Sequence, residues 1–410
     1  MKYIVMLGDG MADYKIDSLG GKTPLEVANK PTMDFLARHG ETGMVKTVPD
    51  GMKPASDVAN LSVMGYDPLK YYSGRSPLEA VSMGIVMSDT DMAFRCNLVC
   101  LGDEPDYASK TMVDYSSDEI TTPESRELIA ALNRELPEYF PAFGTEYELF
   151  SGISYRHCLI WHKPFGDFSF TPPHDISGKC VKDYTPKGSG APLIFEIMKK
   201  SYEILSAHPV NLARKAKGLR PANSMWIWGE GKKPALTPYK ELFGVDGAVV
   251  SAVDLIKGIG ILAGLEVLDV EGATGNINTN FKGKGEAALK SLLDGKDFVY
   301  IHVEAADESG HRFELDNKIK AIEKIDSEIL APITDGLKRA GEDYAVLLLP
   351  DHPTPLSTRT HARDPVPFVL YTSVKDLSPS ASAYNEFDVS QTNFVPVGCE
   401  LIKKLFAVGK

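Results

Sequence analysis

Asp307-Glu-Ser-Gly-His311 sets a carboxylate and an imidazole four residues apart, so a helical turn over them would aim both at one cation. Taken alone, an Asp and a His at this spacing are more often an ordinary surface pair. Asp351-His352 directly follow the apolar run Tyr344 to Leu349, where Pro350, Pro353 and Pro355 restrict the backbone. A metal site and a plain strand-to-loop junction explain that pair equally well. His361 adds an imidazole after a short loop, and Asp9, flanked by Gly8 and Gly10, adds a carboxylate on a backbone free to approach closely. Jointly, these Asp and His side chains match the ligands of a two-metal site with zinc or manganese ions about 3.5–4 Å apart. Such a site calls for a nucleophile whose oxygen can lose its proton near neutral pH. Ser56, in Pro-Ala-Ser-Asp-Val-Ala-Asn-Leu-Ser, begins an apolar-periodic run and so sits at a helix N-terminus, where unpaired N–H groups favour a phosphate. The alternative is that Ser56 is only an N-cap, with Asn60 and Ser62 ordinary helix residues.

The elements that must hold these groups follow from the hydrophobic pattern. Ala248 to Val250, Phe298 to Val303 and Ala345 to Leu349 are short apolar runs, alternating with helical patterns at Leu255 to Leu265, Lys284 to Leu293 and Lys318 to Leu330. That rhythm predicts an α/β fold with a largely parallel sheet flanked by helices, in which ligands gather at the carboxyl ends of strands. The polar clusters at Gly8 to Gly10, His302 to His311 and Asp351-His352 occupy those ends. From Ile85 to Thr185 the texture changes to alternating strands (Met92 to Leu101, Arg156 to His162), one helix near Thr122 to Glu135, and many Pro, Gly and aromatic residues. This predicts residues 85–185 as a smaller inserted α+β domain that covers the substrate, with residues 1–84 and 186–410 as the catalytic core. Lys182 to Gly190 would be the return linker, and the core would resume with a helix over Ala191 to Ala207.

The 410 residues, 43% hydrophobic and 24% charged, suit a globular chain with a large core. A net charge of −12 opposes any broad basic surface for nucleic acid or anionic lipid, so small anions need local cationic pockets. Five cysteines without Cys-x-x-Cys spacing argue against a disulfide framework, and Cys96 and Cys100 share one strand face as core residues. The N-terminus lacks the long apolar region and cleavage site of a signal peptide, and Gly247 to Leu268 is interrupted by Asp254, Lys257 and several glycines. A cytoplasmic protein without membrane spans is expected.

Gly-Asp-Gly-Met-Ala-Asp (Gly8 to Asp13), Gly-Lys-Thr-Pro-Leu-Glu-Val-Ala-Asn (Gly21 to Asn29), Gly-Tyr-Asp-Pro (Gly65 to Pro68), Tyr-Ser-Gly-Arg-Ser-Pro-Leu-Glu-Ala (Tyr72 to Ala80), Phe-Arg-Cys-Asn (Phe94 to Asn97) and Asp-His-Pro-Thr-Pro (Asp351 to Pro355) run along nearly the whole chain. In that order they resemble the cofactor-independent (2,3-bisphosphoglycerate-independent) phosphoglycerate mutases of the archaeal type, in the alkaline phosphatase superfamily. The resemblance implies an alkaline-phosphatase-like core and Ser56 as a phosphorylated nucleophile. Asp9, Asp351 and His352 would hold one metal with Ser56, and Asp307, His311 and His361 the other. The ions implied are manganese or zinc, with magnesium a further candidate, and 2,3-bisphosphoglycerate is not needed. The activity implied is interconversion of 3-phosphoglycerate and 2-phosphoglycerate, a glycolytic step, with Arg75, Arg95, Arg156 and Lys284 as anion contacts. The partner is a small phosphorylated or hydroxy-acid metabolite. Nothing in the sequence fixes an oligomeric state.

Two segments depart from the family pattern. Tyr115-Ser116-Ser117-Asp118-Glu119 stands where members typically carry Arg-Arg-Ala-Gly-Arg, and Trp228-Gly229-Glu230-Gly231 replaces an Arg-Gly-Ala-Gly-like turn. These departures resemble a bacterial subgroup proposed as homoserine kinase, in which Asp118 or Glu230 would pair with the amine of a zwitterionic acceptor. A phosphatase is disfavoured by the inserted domain, which water-driven hydrolysis does not need. A non-catalytic metal scaffold would have no reason to combine Ser56 with the ligand set.

Overall fold

The computed structural model describes residues 1–378 and 380–408. In chain order its strands are β1 (Lys2–Gly8), β2 (Glu41–Val45), β3 (Met92–Leu101), β4 (Met112–Asp114), β5 (Tyr147–Ile153), β6 (Arg156–Trp161) and β7 (Ser224–Lys232). There follow β8 (Gly247–Val250), β9 (Glu266–Val267), β10 (Phe298–Val303), β11 (Tyr344–Leu349), β12 (Val366–Thr372) and β13 (Phe394–Val395). The chain divides into two compact units, Met1–Tyr72 with Ala235–Lys410, and Ser73–Pro234.

The first unit is built on one eight-stranded sheet in the order β13-β2-β12-β11-β1-β10-β8-β9. Its central strands β11, β1, β10 and β8 are mutually parallel, while β12 runs antiparallel to both neighbours. β10 (FVYIHV) and β11 (YAVLLL) are buried at every position, as strands covered on both faces must be. One face packs Ile4, Met6, Val299, Ile301 and Leu348 against helix residues such as Leu36, Leu292, Ile322 and Leu337. On the other, Tyr3, Tyr239, Phe243 and Phe298 cluster around Phe406. This is the α/β architecture with a mostly parallel, helix-flanked sheet that the alternating pattern implied. Among the described residues no helix is long and apolar enough to cross a membrane.

The second unit holds a five-stranded antiparallel sheet in which β3 pairs with β4, β6 and β7, and β6 with β5. It is larger than residues 85–185, the span expected from local texture. β7 zips onto β3 from Met92↔Lys232 to Val99↔Ser224, and Ile194, Ile197 and Met198 of the helix Ala191–Ser206 share a core with Trp226 and Ile227. The helix read as a return to the core therefore belongs to the second unit, and Lys182 to Gly190 lies within it rather than linking out of it. At the other end, Ala80, Ile85 and Met87 pack on Ala93, Cys158 and Ile160, which draws residues 73–84 into the same unit. Pairings across such long separations leave no mark in local composition. Cys96 and Cys100 are buried free thiols.

Candidate active site

The parallel strands β1, β10 and β11 deliver the candidate ligands at their carboxyl ends: Asp9 after Gly8, Asp307 four residues past Val303, and Asp351-His352 after Leu349 and Pro350. The short helix Ala305–His311 spans the Asp-x-x-x-His segment, so Asp307 and His311 do share one side: Asp307 Oδ2 is 3.3 Å from His311 Nε2. His361 closes this group, with Nε2 3.4 Å from Asp307 Oδ1 and 2.9 Å from His311 Nε2. A second group joins Asp9, Asp351 and His352, all at most 1% exposed, with His352 Nε2 3.7 Å from Asp9 Oδ1 and 3.3 Å from Asp351 Oδ2. The two groups meet where the rings of His352 and His361 lie 4.0 Å apart.

Ser56 is the first residue of the helix Ser56–Val63, and its hydroxyl makes no cap bond; the N-cap position is Ala55. Its Oγ instead lies 3.2 Å from His352 Nε2. Asn60, one turn on, ties this helix to the site by donating to Asp351 Oδ2 at 3.0 Å and accepting from Tyr300 Oη. Asp351 Oδ1 accepts from the N–H groups of Gly10 and His352. Gly10 has φ +64°, and a Cβ there would come within 2.6 Å of Asp307 Cα, so this position requires glycine for close approach.

The electrostatics are those of a site short of positive charge. Burial, then the neighbouring Asp351 and Asp307, push the Asp9 carboxyl well above its usual range. Asp9 Oδ1 is buried and accepts no hydrogen bond from any described residue. Burial would raise Asp307 too, but hydrogen bonds from His311 and His361 hold it well below the ordinary carboxylate range. In return the bond to Asp307 lifts His311 to about 9. An orphaned buried carboxylate oxygen beside two Asp/His groups, each with ligand atoms within 4.8 Å of one another, is what a pair of divalent cations would satisfy.

Several site residues had no role assigned from sequence, although His302 and Glu304 fall in the strand-end cluster His302 to His311. His302, fully buried near the end of β10, has Nε2 3.0 Å from Asp9 Oδ2 and Nδ1 3.3 Å from Ser251 Oγ. Burial lowers its pKa to about 4, and the neutral ring's contact with Asp9 Oδ2 fixes which carboxylate oxygen faces the ligand groups. In an apolar strand a lone His reads as core; its position near a parallel strand's carboxyl end was the available signal. Glu304 forms a third grouping with Asp9 and Asp307. Thr354 Oγ1 donates to Asp307 Oδ1, and Lys318, wholly buried, donates from Nζ to Asp13 at 2.7 Å and to the Thr354 carbonyl at 2.8 Å. The loops carrying Asp9 and Asp351 are thus fastened to the helix Leu315–Lys324.

The anion-contact candidates fall in both units. Lys284 is buried in the first unit, its Nζ 3.3 Å from the His302 carbonyl, with its pKa pulled down to about 8 by burial. Arg95 and Arg156 line a cavity of about 170 Å³ in the second unit, and Arg75 pairs with Glu79 there. The substituted segment Tyr115 to Glu119 is a correction to expectation. Ser117, Asp118 and Glu119 all have left-handed φ near 50°, and Ser117 is fully buried, donating to the Leu98 carbonyl. Asp118 is committed to Arg220, with which it forms an ion pair at 3.3 Å and whose N–H it accepts at 2.7 Å, rather than awaiting an amine. Position 117 answers to the alanine of the family segment, and an arginine placed there would enter the buried turn rather than open solvent. Ser117→Arg is expected to destabilise the protein by about 2–4 kcal/mol through overpacking and an unpaired buried charge, seen as a lower thermal midpoint. An unchanged midpoint would mean the turn is far more open than its burial indicates.

Over residues 37–211 the chain matches the family model for 2,3-bisphosphoglycerate-independent phosphoglycerate mutase. It is 50% identical over 387 residues to the 2,3-bisphosphoglycerate-independent phosphoglycerate mutase of Methanosarcina barkeri, covering 94% of each chain. With the probable enzyme of the same name from Geobacter sulfurreducens it shares 48% identity, again over 94% of each. Among solved structures, the cofactor-independent phosphoglycerate mutase from Thermoplasma acidophilum superposes with a TM-score of 0.70 at 25% identity over the full length of both chains.

Proposed function

The chain belongs to the 2,3-bisphosphoglycerate-independent phosphoglycerate mutase family, and from that premise we propose that it interconverts 3-phosphoglycerate and 2-phosphoglycerate through a phosphoserine at Ser56. The observation that carries this reading is the position of Ser56 Oγ, 3.2 Å from His352 Nε2 and so beside the meeting point of the two Asp/His groups. Asp9, Asp351, His352 and Ser56 would hold one divalent ion, and Asp307, His311 and His361 the other. Mixed imidazole and carboxylate donors suit manganese or zinc better than magnesium. When bound, such ions supply Lewis-acid stabilisation of the phosphoryl oxygens and lower the pKa of the serine hydroxyl.

The chain's own residues do the rest. Ser56 Oγ loses its proton and bonds to phosphorus as the P–O bond to the C3 oxygen of the substrate breaks, and that departing oxygen takes up a proton in place of the one the serine gave up. The glycerate then presents its C2 hydroxyl to the phosphoserine, the phosphoryl group returns to that oxygen, and Ser56 is restored. The Val58 N–H donates to Asp57 Oδ1, which leaves the N–H groups of Ser56 and Asp57 at the start of the helix Ser56–Val63 to favour the arriving phosphoryl oxygens. His302 holds Asp9 and Asn60 holds Asp351, so the carboxylates stay in place through both transfers. Lys284 in the first unit and Arg95, Arg156 and Arg75 in the second are the proposed anion contacts, each within its own unit.

Phosphorus NMR of metal-loaded protein tests the reading. With 3-phosphoglycerate alone, and no 2,3-bisphosphoglycerate, the 2-phosphoglycerate resonance is expected to grow to an equilibrium mixture. A parallel sample with homoserine and ATP is expected to show no phosphohomoserine. Phosphorylation of homoserine without mutase turnover would reassign the substrate, and release of inorganic phosphate alone would make the protein a hydrolase.

A further inference from the structure

We propose that Glu79 is a positioning residue for anion recognition: its carboxylate sets Arg95, and with it Arg75, so that a phosphorylated acid binds better because a negative charge is there. The proposal rests on the mutase reading and concerns the cavity of about 170 Å³ in the second unit.

Glu79 lies one turn into the helix Ser76–Ser82. Its Oε2 accepts from Arg95 Nε at 2.8 Å and its Oε1 from Arg95 Nη2 at 2.6 Å, so the pair is bidentate along the side edge of the guanidinium. Oε1 also accepts from Arg75 Nε at 2.9 Å. Burial acts to raise the Glu79 carboxyl, but the two arginines outweigh it and keep the group ionised. With its Nε–Nη2 edge taken, Arg95 keeps the Nη1 edge for a ligand. The plane of that edge is fixed from a second side, since Arg95 Cζ stands 4.7 Å from the Trp228 ring centroid. Trp228 is itself held, its Nε1 donating to Asn97 Oδ1 at 3.0 Å, and Asn97 Nδ2 donates to the Tyr115 carbonyl at 3.2 Å. His174 packs edge-on against Trp228 and Tyr115. Carboxylate, guanidinium, indole and amide thus form one chain of contacts along the cavity, ending at the segment where the family's arginines are missing.

Two physical effects of Glu79 have opposite signs, which makes the role testable. As a charge, it repels an incoming anion, and its removal would tighten binding. As a holder, it prevents a long flexible side chain from leaving the one orientation that meets the anion, and its removal would weaken binding. The bidentate geometry and the indole on the other side favour the second effect.

Steady-state kinetics with 3-phosphoglycerate on the full-length, metal-loaded protein decide between them. Glu79→Gln is expected to raise KM roughly tenfold with kcat within about twofold and metal content unchanged. Glu79→Asp keeps the charge but not the reach, and is expected to raise KM similarly; it also serves as the informative variant if the Gln protein does not fold. A KM that falls or stays constant in Glu79→Gln, or a wild-type KM in Glu79→Asp, would overturn the positioning role. Arg95→Ala separates this from the underlying reading. A large rise in its KM beside an unmoved Glu79→Gln removes only the role of Glu79, whereas an unmoved Arg95→Ala removes the anion cavity and the proposal with it.

Discussion

Ser56→Ala is expected to lose at least about four orders of magnitude in mutase turnover while remaining folded and metal-loaded. The size follows from the chemistry: without the nucleophile no phosphoryl group can be held covalently, and only binding and electrostatic stabilisation remain. The structural cost is small because the hydroxyl caps no helix; the N-cap position is Ala55, and the Ser56 side chain faces His352. A stability change below about 1 kcal/mol is expected, since no capping bond is lost. Intact mass of wild type quenched during turnover should show one added phosphate, and peptide mapping should place it on Ser56. A folded Ser56→Ala protein with wild-type turnover would end the covalent mechanism, whatever the substrate.

The second large effect concerns the metals. Chelator-stripped protein is expected to be inactive, and His311→Ala to lose at least about a thousandfold in kcat/KM, because Asp307 is left with a single imidazole neighbour and one ion loses a ligand. Thermal melting gives a readout independent of turnover. Adding manganese or zinc at a hundred times its dissociation constant should stabilise wild type by about 2.7 kcal/mol for each site filled. His311→Ala should forfeit most of the contribution from the second site. Acidity sharpens the test. In the metal-free protein Asp307 raises His311 to about 9, so a proton occupies the ring at pH 7 and must leave when a cation binds. Apparent affinity should therefore climb as pH rises, by up to about tenfold per unit, and level off near pH 9. Full activity after exhaustive chelation would sink the two-metal reading.

What was legible in the sequence was what local spacing encodes. The four-residue separation of Asp307 and His311 becomes a shared face because the chain there is helical, and the run Tyr344 to Leu349 ends just before Asp351 because Pro350, with no N–H to give the ladder, closes the strand. Ser56 opens a helix, as its neighbours suggested, although it is not the cap. What was hidden depends on partners far along the chain. His302 looks like a core residue until Asp9 is seen beside it, and Lys318 looks like a surface cation until its three acceptors from two loops are known. The extent of the second unit turns on β7 pairing with β3 across more than a hundred residues. Composition also leaves unmarked that Ser117, Asp118 and Glu119 are three consecutive left-handed residues, with Ser117 buried.

β1, the earliest strand of this sequence, occupies the middle of the larger sheet. β1 is hydrogen-bonded on one side to β10 and on the other to β11, partners almost three hundred and more than three hundred residues later. Closing so long a loop costs little more free energy than closing one of half the length, because the entropy grows only logarithmically. The penalty falls on rate: Tyr3 to Leu7 must wait, apolar and unpaired on both edges, until residue 349 has been synthesised. The five strands of the second unit all lie between Met92 and Lys232, so their sheet can be complete well before that moment. Aggregation during synthesis, rather than instability once folded, is therefore the hazard this topology carries, and the exposed stretch Tyr3 to Leu7 is where a holding chaperone would act.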